Sequence, residues 1–271
     1  MNREDYNKLF PSKYYSIAMA KRAIPALVTN TVQLEGLAFT LPEVQTILDG
    51  VTVGGHKISD QQIVINQAQA WKKLFSDSEQ GLFEVSKDYA ASLHAVAVFQ
   101  EPLTWRKFRA SQVTNSGVNY TPPPVNEWDN AWQSAMKSYA GESRPFESAV
   151  GLYGDMARAQ FFYDFNKRTA RMMMAGVLLE SGLPVFNVRH RHQNEFNTAM
   201  VEFYESNNKA FLYDFFEKYC IDELICAPLQ EEAFAKEFNI PPNERALGKI
   251  KQFAQEGVSD TKSKSTGQEP Q

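Results

Sequence analysis

The spacing of apolar positions along the chain is that of helices. Thr40-Leu-Pro-Glu43 has the form of a capping box. A threonine accepts a backbone N–H, a proline sits in the first turn, and a glutamate three residues on reaches back to the start. Val44, Ile47 and Leu48 follow at helical spacing and Gly50 ends the run. The same period predicts helices from Asp60 to about Leu74, with Ile63, Ala70, Trp71 and Leu74 on one face, and from Ser86 to about Phe99. It returns from Val125 to about Tyr139, where Trp128 and Trp132 share a face. Further helices are expected over Phe146–Phe162, Phe165–Ser181, Asn194–Asn207 and Lys209 to about Ile225, with Gly182-Leu-Pro184 as a stop.

The period breaks twice. Trp105, Phe108, Val113, Val118 and Tyr120 are distributed around Asn115-Ser116-Gly117, the pattern of a short β-hairpin. Pro122-Pro123-Pro124 excludes regular helix directly after it. From about Glu256 to Gln271 the chain is polar, with Lys, Ser, Thr, Gly and Pro, so a disordered tail is expected. With no internal repeat and no break before that tail, the fold class is mainly α: one helical domain with a small hairpin.

Composition narrows the function classes. At 43% hydrophobic and 22% charged, the 271 residues can build a substantial core. A net charge of −4 argues against a broad basic surface, so no nucleic-acid partner is expected, though a small basic pocket is compatible with it. Cys220 and Cys226 are too few for a four-ligand zinc site or a disulfide scaffold and read as buried thiols. The charged start Met1-Asn-Arg-Glu-Asp5 leads into no apolar signal sequence, and no window approaches the roughly 20 apolar residues of a membrane span. A cytoplasmic location without membrane contact is the expectation.

The chemistry concentrates in Gln160-Phe-Phe-Tyr-Asp164-Phe165-Asn166-Lys167-Arg168-Thr-Ala-Arg171. One helix ends near Phe162 and the next begins around Asn166. A helix start offers unpaired N–H groups and the positive end of a dipole, which favour an anion. Arg168 and Arg171, three apart, project from one helix face and can grip phosphate bidentately. Asp164 adds a carboxylate suited to Mg²⁺. The same residues also fit an ordinary solvated, charge-balanced helix start.

The segment resembles the motif of the Fic (Fido) family, H-x-F-x-[DE]-G-N-[GK]-R-x-x-R. Phe162, Asp164, Asn166, Lys167, Arg168 and Arg171 match it, whereas Gln160 stands at the histidine position and Phe165 at the glycine position. Thr31-Val-Gln-Leu-Glu35-Gly36 is similar to the family's N-terminal inhibitory motif, [ST]-x-x-x-E-[GN]. Leu93-His94 and Trp105-Arg-Lys-Phe-Arg109 resemble the approach to the family's target-docking hairpin, the flap. The resemblance covers roughly residues 30 to 220 and divides the chain into an N-terminal helical extension (1–30), the inhibitory motif (31–36), a Fic-like core (37–225), a C-terminal helical segment (226–255) and the tail (256–271).

The resemblance implies AMP transfer from ATP to a hydroxyl of a target protein. Asp164 would hold Mg²⁺; the backbone of Phe165, Asn166 and Lys167 would form the anion nest; Arg168 would clamp phosphate and Arg171 the γ-phosphate. Glu35, from the motif Thr31–Gly36, would occupy Arg171 and hold the enzyme off. The target would dock at the hairpin near Asn115–Gly117, and a homodimer is in keeping with the family. At the catalytic position, Gln160 lacks a pKa near neutrality and cannot act as general base. It can only hydrogen-bond. Phe165, lacking glycine's freedom, is expected to limit the loop geometry. Two functions compete: an autoinhibited protein adenylyltransferase with weak or lost activity, and a nucleotide-binding pseudoenzyme, or a Fic relative with altered chemistry, that works by docking a partner. A helical interaction protein with a vestigial loop is the third.

Overall fold

The computed structural model describes residues 1–99, 101, 107–114, 117–231 and 236. Among them the chain forms α1 (Arg3–Asn7), α2 (Lys13–Arg22), α3 (Ile24–Leu34), α4 (Leu41–Leu48), α5 (Ile58–Gln80), α6 (Lys87–Ala97), α7 (Trp128–Gly141), α8 (Pro145–Ala159), α9 (Asn166–Glu180), α10 (Gln193–Ser206), α11 (Ala210–Tyr219) and α12 (Glu223–Cys226), with short 3-10 turns at 125–127, 190–192 and 227–230. The mainly helical reading holds, and the capping box is formed in full: Thr40 N–H donates to Glu43 while Glu43 N–H reaches the Thr40 hydroxyl.

The fold is organised around α9. From Met172 to Leu179 every residue is buried, so the helix is apolar all round and has to be enclosed. α8 packs along it most extensively, and α6, α5 and α2 close the remaining sides. Met172, Met173 and Met174 lie in the core, as unbranched side chains that fill irregular gaps do. Cys220 and Cys226 are free, buried thiols, and burial pushes both above the ordinary thiol range. No helix among the described residues is long and apolar enough to cross a membrane.

α3 and α9 both end in Schellman caps. After α3, Gly36 (φ 84°) donates to Gln33 O at 3.0 Å and Leu37 N–H to Val32 O at 3.0 Å. This fixes Glu35 as the residue at which α3 stops. After α9, Gly182 (φ 73°) donates to Leu179 O and Leu183 to Leu178 O, both at 2.9 Å. The Gly182 carbonyl accepts from Ser12 N–H at 2.8 Å and the Ser16 hydroxyl at 2.9 Å, tying α2 to the end of the core helix.

Two expectations are corrected. No strand occurs among the described residues, so the hairpin is not formed in 107–114 or 117–124; Trp105, Asn115 and Ser116 lie outside the described residues. The segment's carbonyls are instead held by a side chain, as shown below. The single helix expected over Lys209–Ile225 is two, because the Asp222 carboxylate accepts Leu224 N–H at 3.0 Å and starts α12 afresh. The 226–255 segment is described to Glu231 and at Lys236, and the 256–271 tail lies outside the described residues.

A Cβ on Gly182 would stand 2.7 Å from Pro11 Cβ and 2.9 Å from Ser12 N, in a left-handed backbone. Gly182→Ala is therefore expected to destabilise the protein by roughly 2–4 kcal/mol, read as a lowered midpoint in urea denaturation.

Candidate functional site

The loop between α8 and α9 is built on two non-glycine residues in left-handed conformation. Gln160 (φ 50°) ends α8 and Phe165 (φ 59°) precedes α9. Such residues persist only where surroundings over-determine them. Asn166 does this from inside: its Oδ1 accepts Phe162 N–H at 2.8 Å, and its Nδ2 donates to Phe162 O at 2.8 Å and to Gln160 Oε1 at 2.9 Å. The Gln160 amide is thus fully engaged, because its Nε2 also donates to Ala157 O at 2.7 Å and lies 3.4 Å from the Tyr204 hydroxyl. Phe161 and Phe162 pin the loop below: Phe161 stacks on Phe108, and Phe162 stacks on His94 with centroids 4.0 Å apart.

From outside the loop is held by Arg109, whose side chain is fully buried. Its Nε donates to Gln160 O at 2.6 Å, one terminal nitrogen to Ser111 O at 2.9 Å, the other to Pro123 O, and its face covers Trp128. Arg109 N–H also bonds Phe161 O at 2.9 Å. One guanidinium therefore joins both limbs of the 107–124 segment to the first residue of the loop. Tyr120 adds a second anchor, lying against the Arg158 guanidinium and the Tyr204 ring. Sequence reasoning placed Arg109 only in a flap-like segment; nothing in Arg-Lys-Phe-Arg distinguishes a buried arginine from a solvated one.

Beyond the loop, α9 begins without any side-chain cap, so its first-turn N–H groups face outward at the positive end of its dipole. Asp164 is exposed at the loop tip, with Oδ1 accepting Phe165 N–H at 2.7 Å, and Lys167 is exposed beside it. Arg168 and Arg171 are buried, at 4% and 3% exposure, and the Nε of each lacks a hydrogen-bond partner among the described residues. These orphaned donors, next to an uncapped helix start, are what a bound polyanion would satisfy. No cluster of three or more metal-binding side chains exists among the described residues. Asp164 alone suits Mg²⁺, which takes one or two carboxylates and fills its shell with phosphate oxygens and water.

Thr31 and Glu35, one turn apart on α3, face the two arginines. Thr31 Oγ1 donates to Leu27 O and accepts from Arg171 at 3.4 Å. The Glu35 carboxylate lies 3.5 Å from Arg168 Nε. The expected Glu35–Arg171 pair is therefore displaced by one turn. Glu35 caps the C-terminus of α3 and meets the first turn of α9, whereas Arg171 lies a turn deeper, opposite Thr31. Glu101 also engages Arg168, at 3.1 Å, a contact that no local pattern around Glu101 marks. Phe165 does not restrict the loop as expected: it adopts the left-handed geometry and lays its ring 3.9 Å from the Arg168 guanidinium carbon.

His94 contacts the loop through the Phe162 ring and the Asp164 carbonyl. His94 is 1% exposed, and burial lowers its pKa to about 4, with the Arg168 charge acting in the same direction against a bond to the Asp164 carbonyl. His190 and His192 sit in the 3-10 turn after Arg189, and His56 bonds Glu43 and stacks on Phe39. A cavity of about 450 Å³ lies between α2, α3 and residues 184–191. Its polar groups are spent on one another: Asn30 accepts His190 N–H, Asn187 donates to Ala26 O, and Arg189 pairs with Asp222.

A model of the Fic/DOC family matches residues 84–178, a span that includes the whole loop and excludes Thr31–Gly36. Residues 84–178 are a Fic/DOC family domain. The chain is similar to a protein adenylyltransferase Fic of Nematostella vectensis, 26% identical over 201 residues that make up 71% of this chain and 47% of that protein. It is also similar to one of Drosophila mojavensis, 22% identical over 62% of this chain and 34% of that protein. The chain thus spans about half the length, or less, of these curated relatives. The fold matches that of a Caenorhabditis elegans Fic-1 fragment with a TM-score of 0.62 at 19% identity, over 97% of this chain and 70% of that one. It also matches a Fic domain containing signaling protein of Bacteroides thetaiotaomicron with a TM-score of 0.63 at 15% identity, over 93% and 94%. In the Fic domain, the loop Gln160–Phe165, the buried arginines and the 107–124 segment all fall within the matched span; Glu35 approaches them from outside it.

Two outcomes follow from this geometry. Because the His94 pKa is lowered from 6.5 to about 4, the unfolded chain takes up the proton first. Its contribution to stability is complete above about pH 6.5 and declines as the pH falls toward 4, by on the order of 2 kcal/mol between pH 7 and 5. His94→Phe, which keeps a ring on Phe162, should flatten that acid limb in urea denaturation. Arg109→Met strands three carbonyls and is expected to cost about 3–5 kcal/mol, with Arg109→Lys recovering only part because an ammonium cannot span all three. Chemical denaturation of the two variants side by side measures this.

Proposed function

We propose that this chain binds ATP with Mg²⁺ at the start of α9, and that AMP transfer from it to a protein hydroxyl is weak or lost. The observation that supports binding is the pair of buried arginines beside an uncapped helix N-terminus, with Arg171 Nε lacking a hydrogen-bond partner and Arg168 Nε met only by the Glu35 carboxylate at 3.5 Å. Arg168 and Arg171 would hold the phosphates, the N–H groups of Asn166 and Lys167 would cradle one of them, and Asp164 would hold Mg²⁺, which neutralises phosphate charge when bound. The fold and the names of the relatives support ATP as the anion and a protein hydroxyl as the acceptor.

Weak transfer follows from Gln160. Its amide neither titrates near neutrality nor is free to turn toward a substrate, since both ends are committed to Ala157, Tyr204 and Asn166. General-base assistance is worth roughly 10²- to 10⁴-fold, and that share is missing. Glu35, paired with Arg168, adds inhibition by competing with phosphate for a guanidinium. The locked amide also favours the pseudoenzyme reading, in which nucleotide binding persists and the 107–124 segment presents a docking surface to a target protein.

Calorimetry should show Mg²⁺-dependent ATP binding by the native chain that Arg171→Ala weakens by at least tenfold. Labelled AMP should transfer to protein measurably only after Gln160→His is combined with Glu35→Gly. ATP affinity unchanged by Arg168→Ala and Arg171→Ala alike would refute the nucleotide site. ATP binding with no transfer by the double variant would leave the pseudoenzyme.

A further inference from the structure

We propose that Arg168 is closed to anions by Glu101 and Phe165 together with Glu35, so that the carboxylate at the end of the α6 turn is a second gate on the same guanidinium. The inference rests on the reading of the α9 start as a polyphosphate site.

Arg168 belongs to the first turn of α9, between exposed Asp164 and Lys167 on one side and solvent on the other, yet it is 4% exposed. Three groups cover it. The Phe165 ring lies over its face at 3.9 Å, Glu101 Oε2 bonds a terminal nitrogen at 3.1 Å, and Glu35 Oε1 lies 3.5 Å from Nε. A phosphate gripping this guanidinium would need an edge that a carboxylate now holds.

Of the two carboxylates, Glu101 is the more firmly built. Its side chain is 11% exposed against 30% for Glu35, and its contact has hydrogen-bond geometry. Asn66, fully buried on α5, donates to Glu101 Oε1 at 3.4 Å and to Phe99 O at 2.7 Å; its neighbour Gln67 donates to Ala97 O at 2.6 Å. Glu101 N–H closes the turn on Val98 O at 3.0 Å. α5 thus aims Glu101 at Arg168. Burial raises the Glu101 pKa against the pull of Arg168 and the Asn66 bond, and the Glu35 charge adds to the rise. The carboxylate is therefore held at an electrostatic cost that its displacement relieves.

The charge count gives the direction. Glu35 and Glu101 balance Arg168 and Arg171, so an entering polyphosphate meets no net positive charge at its clamp. Removing one carboxylate leaves an excess positive charge and frees one edge of Arg168. A purely structural Glu101 would behave otherwise, since its loss would reduce stability and leave anion affinity where it was.

The test is calorimetric titration of inorganic tripolyphosphate and of Mg·ATP into the native chain and its variants. Glu101→Gln keeps the shape and the Asn66 bond and removes the charge. It is expected to tighten both ligands on the order of tenfold. Glu35→Gln should give a gain of its own, the double variant more than either, and Arg168→Ala should cancel the gains. Phe165→Gly, which suits the left-handed backbone, should tighten binding as well and serves if the Glu101 variant does not fold. Tightening by Glu35→Gln with no change on Glu101→Gln and Phe165→Gly would overturn the second gate and leave the polyphosphate site standing. No binding by any variant would overturn both.

Discussion

Arg168 carries a guanidinium into the interior, one α-helical turn from a second buried arginine, Arg171. A buried charge is tolerated only when paired and hydrogen-bonded, because desolvation otherwise outweighs any packing gain. That requirement dictates the neighbours. Glu35 has to come from the end of α3, Glu101 from the turn after α6, and a ring from Phe165 has to cover the face. α3, α5, α6 and α9 are thereby drawn to one point, and the caps that place Glu35 and the amides that place Glu101 follow from it.

The loop before α9 obeys a second constraint of the same kind. Left-handed Gln160 and Phe165 each cost on the order of 1–3 kcal/mol, which the surroundings must offset. Asn166 brackets both polar groups of Phe162 from inside, and Arg109 takes the Gln160 carbonyl from outside. The ring stacked on Arg168 offsets part of the cost at Phe165, which is how a bulky residue occupies a place that glycine would fill more cheaply. The strain sits between α8 and α9, directly before the uncapped N–H groups at the start of α9.

The helices were legible in the sequence because their period and caps are local. Thr40, Glu43 and Gly182 act on atoms within a few residues, and so do the apolar stripes. The loop's polar residues were legible for the same reason. The partners of Arg168 were not: Glu101 lies 67 residues away, in a turn whose glutamate carries no local mark. The buried state of Arg109 was hidden likewise, since its three carbonyl acceptors come from separate parts of the chain. The hairpin expectation failed because the carbonyls of Ser111 and Pro123 are held by the Arg109 side chain, a long-range contact that alternation of apolar residues does not reveal.

Binding and chemistry are separable in this site because they rest on different atoms. In the proposed site phosphate would be held by backbone N–H groups and by guanidiniums, and the guanidiniums keep their charge at every physiological pH. Proton removal needs one atom with a pKa near neutrality, free to approach the acceptor hydroxyl. Gln160 lies on the left-handed turn that ends α8, and its amide closes bonds to Ala157 and Asn166. An amide at this place therefore offers no titrating base yet engages Asn166, which braces the loop through Phe162. On the proposed reading, phosphate binding without transfer requires a residue at this place that satisfies the loop without titrating, and Gln160 does so with both ends of its amide.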